Sequence, residues 1–202
     1  MSSQVTNDGL DPLAECRALE RLSFQNSPVT ATGLRKLRGL PKLRDLWLWN
    51  CNRVADAEME ELQHFPALDD LTLTGTAVGD AGIQFLATHP RLLGLNLDST
   101  KITDAAFQSL VTFPQLSVLR VARTKITDAG MAHVVRIPNL LLLELDGTSV
   151  TDDGLKQLSS LKSLKEISLT GTKVTADGVA ALKKALPDCN VMFSVSKPGS
   201  AQ

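Results

Sequence analysis

The stretch Leu92-Leu93-Gly94-Leu95-Asn96-Leu97-Asp98-Ser99-Thr100-Lys101-Ile102-Thr103-Asp104 decides how this chain folds, together with Phe107, Leu110, Phe113 and Pro114 that follow it. The same phrase recurs from Leu19, Leu43, Leu68, Leu116, Leu140 and Leu164, at steps of 24 or 25 residues. A fixed period of this length signals a stack of one repeated supersecondary unit. Each unit changes its own period half-way. The Leu-x-x-Leu-x-Leu half alternates, as in Leu143-Glu144-Leu145, and predicts a short strand with one buried side. The second half spaces its apolar residues by three, as in Leu155, Leu158 and Leu161, and predicts a short helix.

The residues between these halves supply the punctuation. Thr103, Thr127 and Thr151 stand where a helix N-cap is needed, followed by Asp104, Asp128 and Asp152 in the first turn. A hydroxyl accepts from the orphan amides there, and a carboxylate suits the positive end of the helix dipole. Pro66, Pro90, Pro114 and Pro138 close the helices. Small residues recur at Gly33, Gly82, Ala106, Gly130, Gly154 and Gly178, which lets each helix sit close to its neighbour; Glu58 departs from this rule without explanation from sequence. Thr76, Thr100, Thr124, Thr148 and Thr172 form a column just after the strands, with Ser27 and Cys51 in the same place, and their hydroxyls are expected to satisfy turn backbone groups.

One unit cannot bury its apolar side alone, so neighbouring units must stack. Over about residues 5–193 the chain resembles the leucine-rich-repeat family. It is similar to the cysteine-containing subtype, whose form is carried by Leu46-x-Leu48-x-x-Cys51-x-x-Val54-Ala55-Asp56, and to shorter bacterial variants with threonine for cysteine. The resemblance implies an α/β solenoid, a right-handed horseshoe with parallel strands on the concave face and short helices on the convex face. It also implies binding of another protein through the concave sheet. The alternative is a structural or substrate-receptor part of a larger, ligase-like assembly, since the cysteine-containing subtype often reads substrates for ubiquitin ligases; that role requires an adaptor-binding segment before the repeats.

The expected organisation is a partial repeat over 1–18, the array over 19–186, a capping strand over 187–193 and a disordered tail over 194–202. Val5-Thr6-Asn7-Asp8-Gly9-Leu10 is in phase with Val29-Thr30-Ala31-Thr32-Gly33-Leu34, so the first unit begins half-way. With no dedicated cap, this N-terminal edge is a candidate for self-association.

Composition narrows the function classes. The 202 residues are 43% apolar with a formal net charge of −1, which disfavours general nucleic-acid binding. No stretch approaches the roughly 18 apolar residues of a membrane span, and no signal peptide is visible. Three widely spaced cysteines, Cys16, Cys51 and Cys189, fit reduced, buried thiols and a cytoplasmic location. His64, His89 and His133 fall at three different repeat positions, and His89 stands where the other units place an apolar residue. There is no Cys-x-x-Cys, His-Glu-x-x-His, phosphate-binding glycine loop or Gly-x-Ser-x-Gly. The chain is therefore expected to be no enzyme and to use no metal or cofactor.

The informative surface is the outward side of the strands. The column between the leucines reads Ser23, Trp47, Thr72, Asn96, Arg120, Glu144, Ser168, and the next reads Gln25, Trp49, Thr74, Asp98, Ala122, Asp146, Thr170. Both tryptophans are thus expected side by side in solvent, an arrangement that favours a binding anchor. The candidate partner-binding set is Trp47, Trp49, Thr72, Thr74, Asn96, Asp98, Arg120, Arg123, Glu144 and Asp146. Leu93, Val118, Leu141 and Leu142, just before the strands, are expected to be half-buried.

Overall fold

The computed structural model describes residues 5–87 and 89–194. The expected disordered tail lies, apart from Ser194, outside the described residues. Eight parallel strands form one sheet in sequence order. They are β1 (Arg21–Gln25), β2 (Asp45–Trp49), β3 (Asp70–Thr72), β4 (Gly94–Asn96), β5 (Val118–Arg120), β6 (Leu142–Glu144), β7 (Glu166–Ser168) and β8 (Asn190–Met192). Between them run α1 (Ala31–Lys36), α2 (Asp56–Met59), α3 (Asp80–Leu86), α4 (Phe107–Leu110), α5 (Asp128–Val134), α6 (Asp152–Leu158) and α7 (Ala176–Ala185). A 3-10 helix, Asn7–Glu15, packs beside α1 as the helical half of the first, incomplete unit.

Register makes the repeat visible. Leu46, Leu71, Leu95, Leu119, Leu143 and Ile167 are paired in turn across the sheet, and all point into the core at 0–1% exposure. The flanking apolar columns, from Leu43 to Leu164 and from Leu48 to Leu169, are buried with them. Each such side chain contributes roughly 1.5–3 kcal/mol by leaving water, so the unit is stable only when neighbours cover it.

After each strand the chain must turn sharply toward the helix. It does so through a left-handed residue in every described unit: Asn26, Asn50, Gly75, Ser99, Arg123, Gly147 and Gly171, with φ between 51° and 73°. Glycine and asparagine tolerate this region; serine and arginine do not share that ease. The threonine column then closes the turn. Thr76, Thr100, Thr124, Thr148 and Thr172 donate from Oγ1 to the carbonyl three residues earlier at 2.6–2.7 Å.

The Thr-Asp dipeptides do more than cap their own helices. Thr103, Thr127 and Thr151 accept from helix amides two residues on, as N-caps should. Each preceding aspartate also reaches across to the next unit. Asp104 accepts from the Thr127 N–H at 2.9 Å and from its hydroxyl at 2.6 Å, and Asp80, Asp128 and Asp152 repeat this on Thr103, Thr151 and Thr175. The recurrent glycine exists because that carboxylate occupies its side-chain space: a Cβ at Gly130, Gly154 or Gly178 would run into Asp104, Asp128 or Asp152. Where Ala106 replaces glycine, the helix opens with a 3-10 turn, Asp104–Ala106.

Glu58 now has a physical account. The preceding unit carries Ala31 in phase with Asp56, Asp80, Asp104, Asp128 and Asp152, so no carboxylate fills the glycine space. The Glu58 carboxylate supplies the missing acceptor from its own unit, binding the Ala55 N–H at 2.9 Å and the Ala31 N–H at 3.4 Å. An aspartate–glycine pair has been exchanged for an alanine–glutamate pair, and the same backbone amide is satisfied.

Candidate interaction surface

Three outward columns of side chains cover the solvent face of the sheet, and the structure sorts the expected site residues into two groups. Trp49 is 37% exposed at the end of β2, while Leu46 and Leu48 on the same strand are fully buried. Trp47 shares its face but is only half-exposed, because its indole N–H donates to Asp70 Oδ1 on β3 at 2.8 Å. The expectation of two freely exposed indoles is corrected to one, with the other held as its support. Arg120, Glu144, Thr74 and Asp146 are partly exposed, and Arg123 is exposed at the turn.

Thr72, Asn96 and Asp98 are buried, at 5%, 8% and 6% exposure. Strands about 4.8 Å apart let the neighbouring columns close over short polar side chains. These residues satisfy the sheet itself. Asn96 Oδ1 accepts from the Thr74 hydroxyl at 3.0 Å and the Asp98 N–H at 2.9 Å, and Asp98 Oδ1 accepts from the Ala122 N–H at 2.7 Å. They form the floor under the surface. Asp146 works similarly, accepting from the Ser168 hydroxyl at 2.6 Å and the Thr170 N–H at 2.7 Å.

The electrostatics of this face are uneven. Arg120 and Glu144 form an ion pair at 3.2 Å. Burial, then Asp98 and Asp146 nearby, raise the Glu144 carboxyl above its usual range. Burial raises Asp98 against the opposing Ala122 N–H. Asp45 is raised by burial and then by Asp70, its register partner on β3.

Of the four apolar residues before the strands, Val118 and Leu142 lie half-buried in β5 and β6. Leu93 and Leu141 are instead exposed, at 44% each, one residue ahead of their strands.

Outside this face, Glu61 and His89 are buried. Glu61 is buried between Arg35 and Arg38, at 2.9 Å from Arg35. His89 is 3% exposed, in phase with Phe65, Phe113 and Ile137, and its Nε2 has no hydrogen-bond partner. Burial holds its pKa below the usual 6.5, against a hydrogen bond with the Leu62 backbone. A lowered histidine pKa means the unfolded chain binds more protons, so stability falls as pH drops through 6.5. His89→Leu is expected to remove part of the wild-type loss of stability between about pH 7 and 5, measured by urea unfolding, and to match or exceed wild type at neutral pH. Cys51 and Cys189 are buried free thiols, raised by burial. Cys16 is exposed, correcting the expectation of three buried thiols: it caps the C-terminal end of the 3-10 helix Asn7–Glu15, where its Sγ reaches the Pro12 carbonyl. Among the described residues, no group of three or more His, Cys, Asp or Glu side chains is placed to hold a metal ion. No described helix is long and apolar enough to cross a membrane.

Two solved structures share the arrangement. Internalin C2 from Listeria monocytogenes superimposes with a TM-score of 0.69 over 96% of this chain and 78% of that one, at 21% identity. This chain has a leucine-rich-repeat fold. A Listeria monocytogenes internalin, inlF, gives the same TM-score at 17% identity, covering 93% of this chain and 51% of its own length. A sequence model described as Leucine Rich repeat matches residues 160–183, one unit of the leucine-rich array. Comparison with curated proteins returned no match. At these identities the likeness is one of fold, so the chemistry of the leucine-rich-repeat face must be read from its own residues.

Proposed function

We propose that this protein is a protein-recognition module that binds a partner through the concave sheet. The observation that carries the reading is Trp49, a large indole exposed on a strand whose leucines are fully buried. Trp47, pinned by Asp70, holds that edge of the surface rigid, so little side-chain entropy is lost on docking. Thr74, Arg120, Arg123, Glu144 and Asp146 supply the surrounding polar contacts. Thr72, Asn96 and Asp98 fix the floor beneath them. Eight strands about 4.8 Å apart span about 34 Å, enough for a standard interface of about 800 Å² per partner. The unit around Cys51 supports kinship with the cysteine-containing subtype, and the free thiols support a cytoplasmic setting.

The test is affinity capture from native lysate with wild type, Trp49→Ser and a helix-side control, Ala132→Ser. A partner retained by wild type and the control, and lost by a folded Trp49→Ser chain, supports the sheet as the binding face. Equal capture by all three contradicts it.

A further inference from the structure

We propose that the partner surface docking on the sheet is basic, a protein segment whose arginine or lysine side chains reach the carboxylates beside Trp47 and Trp49. This rests on the concave-face reading above and names the chemistry of its partner.

The three outward columns carry six carboxylates, Asp45, Asp70, Asp98, Glu144, Asp146 and Glu166, against two cations, Arg21 and Arg120. They contain no lysine. The sheet face thus holds a net four negative charges in a chain whose formal net charge is −1. Of the cations within reach, Arg21 is the register partner of Asp45 on β1, draws its carboxyl down and belongs to no ion pair among the described residues. Arg120 pairs with Glu144. At the rims, Arg44 binds Asp69 at 2.7 Å and Arg123 donates to Ser99 Oγ at 3.0 Å.

The imbalance is sharpest at the tryptophans. Asp45 and Asp70 are register partners on adjacent parallel strands, and neither belongs to an ion pair among the described residues. Asp70 uses one oxygen for the Trp47 indole, and its other oxygen lies over Gly94, where any side chain would collide with it. Glycine therefore leaves the Asp70 carboxylate uncovered by any side chain from β4. A guanidinium entering there meets the carboxylates beside the half-exposed Trp47 indole, the combination of charge pairing and cation–π contact that favours arginine. A polyphosphate backbone would be repelled by this face.

The experiment titrates the full chain with hexaarginine, hexaglutamate and spermine, following tryptophan emission. The chain has no tyrosine and its only tryptophans are Trp47 and Trp49, so the signal reports this site. Saturable hexaarginine binding is expected, with none by hexaglutamate. It should weaken about tenfold or more in Asp45→Asn/Asp70→Asn and further as salt is raised. The amide oxygen introduced by Asp70→Asn can still accept from the Trp47 indole, so the fold is retained. The helix-side pair Glu60→Gln/Asp177→Asn should bind as wild type. Absent binding, equal loss in both double variants, no loss in either, or spermine binding as tightly as the peptide would each overturn the proposal. A captured partner lost by Trp49→Ser but kept by Asp45→Asn/Asp70→Asn would sink only the basic-partner inference. One kept by Trp49→Ser would sink the concave-face reading itself.

Discussion

Gly154→Glu is expected to destabilise the fold by about 3 kcal/mol or more, because it forces a second carboxylate against the buried side of Asp128. A Cβ alone at Gly154 already collides with Asp128 Oδ1 and with Val150. Asp128→Ala is expected to cost about 1–2 kcal/mol by itself, since the Thr151 N–H and hydroxyl both lose their acceptor. The two together should recover most of the Gly154→Glu loss. They rebuild between α5 and α6 the arrangement that Ala31 and Glu58 make between α1 and α2, where the glutamate takes over the cap amide. Thermal and urea unfolding of the two single variants and the double measure the coupling directly. Additive losses would show that the aspartate–glycine ladder is not the contact that spaces the helices.

Trp49→Ser carries the second large effect, on binding and not on stability. An exposed aromatic anchor at the centre of a contact costs about 2 kcal/mol or more when truncated, roughly thirtyfold in affinity. Its unfolding free energy should change little, because the ring already meets water in the free protein. Trp47→Ser should behave differently. It removes a half-buried ring and leaves Asp70 without its indole donor, so stability falls together with affinity. A variant pair that separates in this way identifies Trp49 as contact and Trp47 as support. Equal effects on stability would mean that both indoles are packing residues only.

The leucine columns, the cap threonines and the turn threonines are all legible in the sequence, because each recurs at one period with one chemistry. What the sequence hides lies between units. That Asp104 serves Thr127 is invisible to a pattern that explains both residues as local caps. Glu58 is anomalous in the pattern for the same reason: it answers the absence of a carboxylate at Ala31, one unit earlier. The left-handed turn column escapes notice because Ser99 and Arg123 carry no glycine signal, although Gly75, Gly147 and Gly171 stand in phase with them. At the candidate site, alternation correctly assigns faces but not exposure. Asn96 and Asp98 point outward, yet neighbouring strands cover them and their polar atoms are spent on backbone amides. Alternation alone puts Trp47 in solvent, because nothing in its own strand reveals the carboxylate waiting at Asp70.

Site-specific photocrosslinking tests the central claim most directly. A benzophenone side chain at Gln25 or Thr170, exposed on the sheet face, is compared with one at Ala132 or Ala180, exposed on α5 and α7. Adducts with the captured partner from Gln25 and Thr170, and none from the helix positions, are the predicted result. Adducts from Ala132 or Ala180 with none from the sheet would contradict the account and place recognition on the convex face.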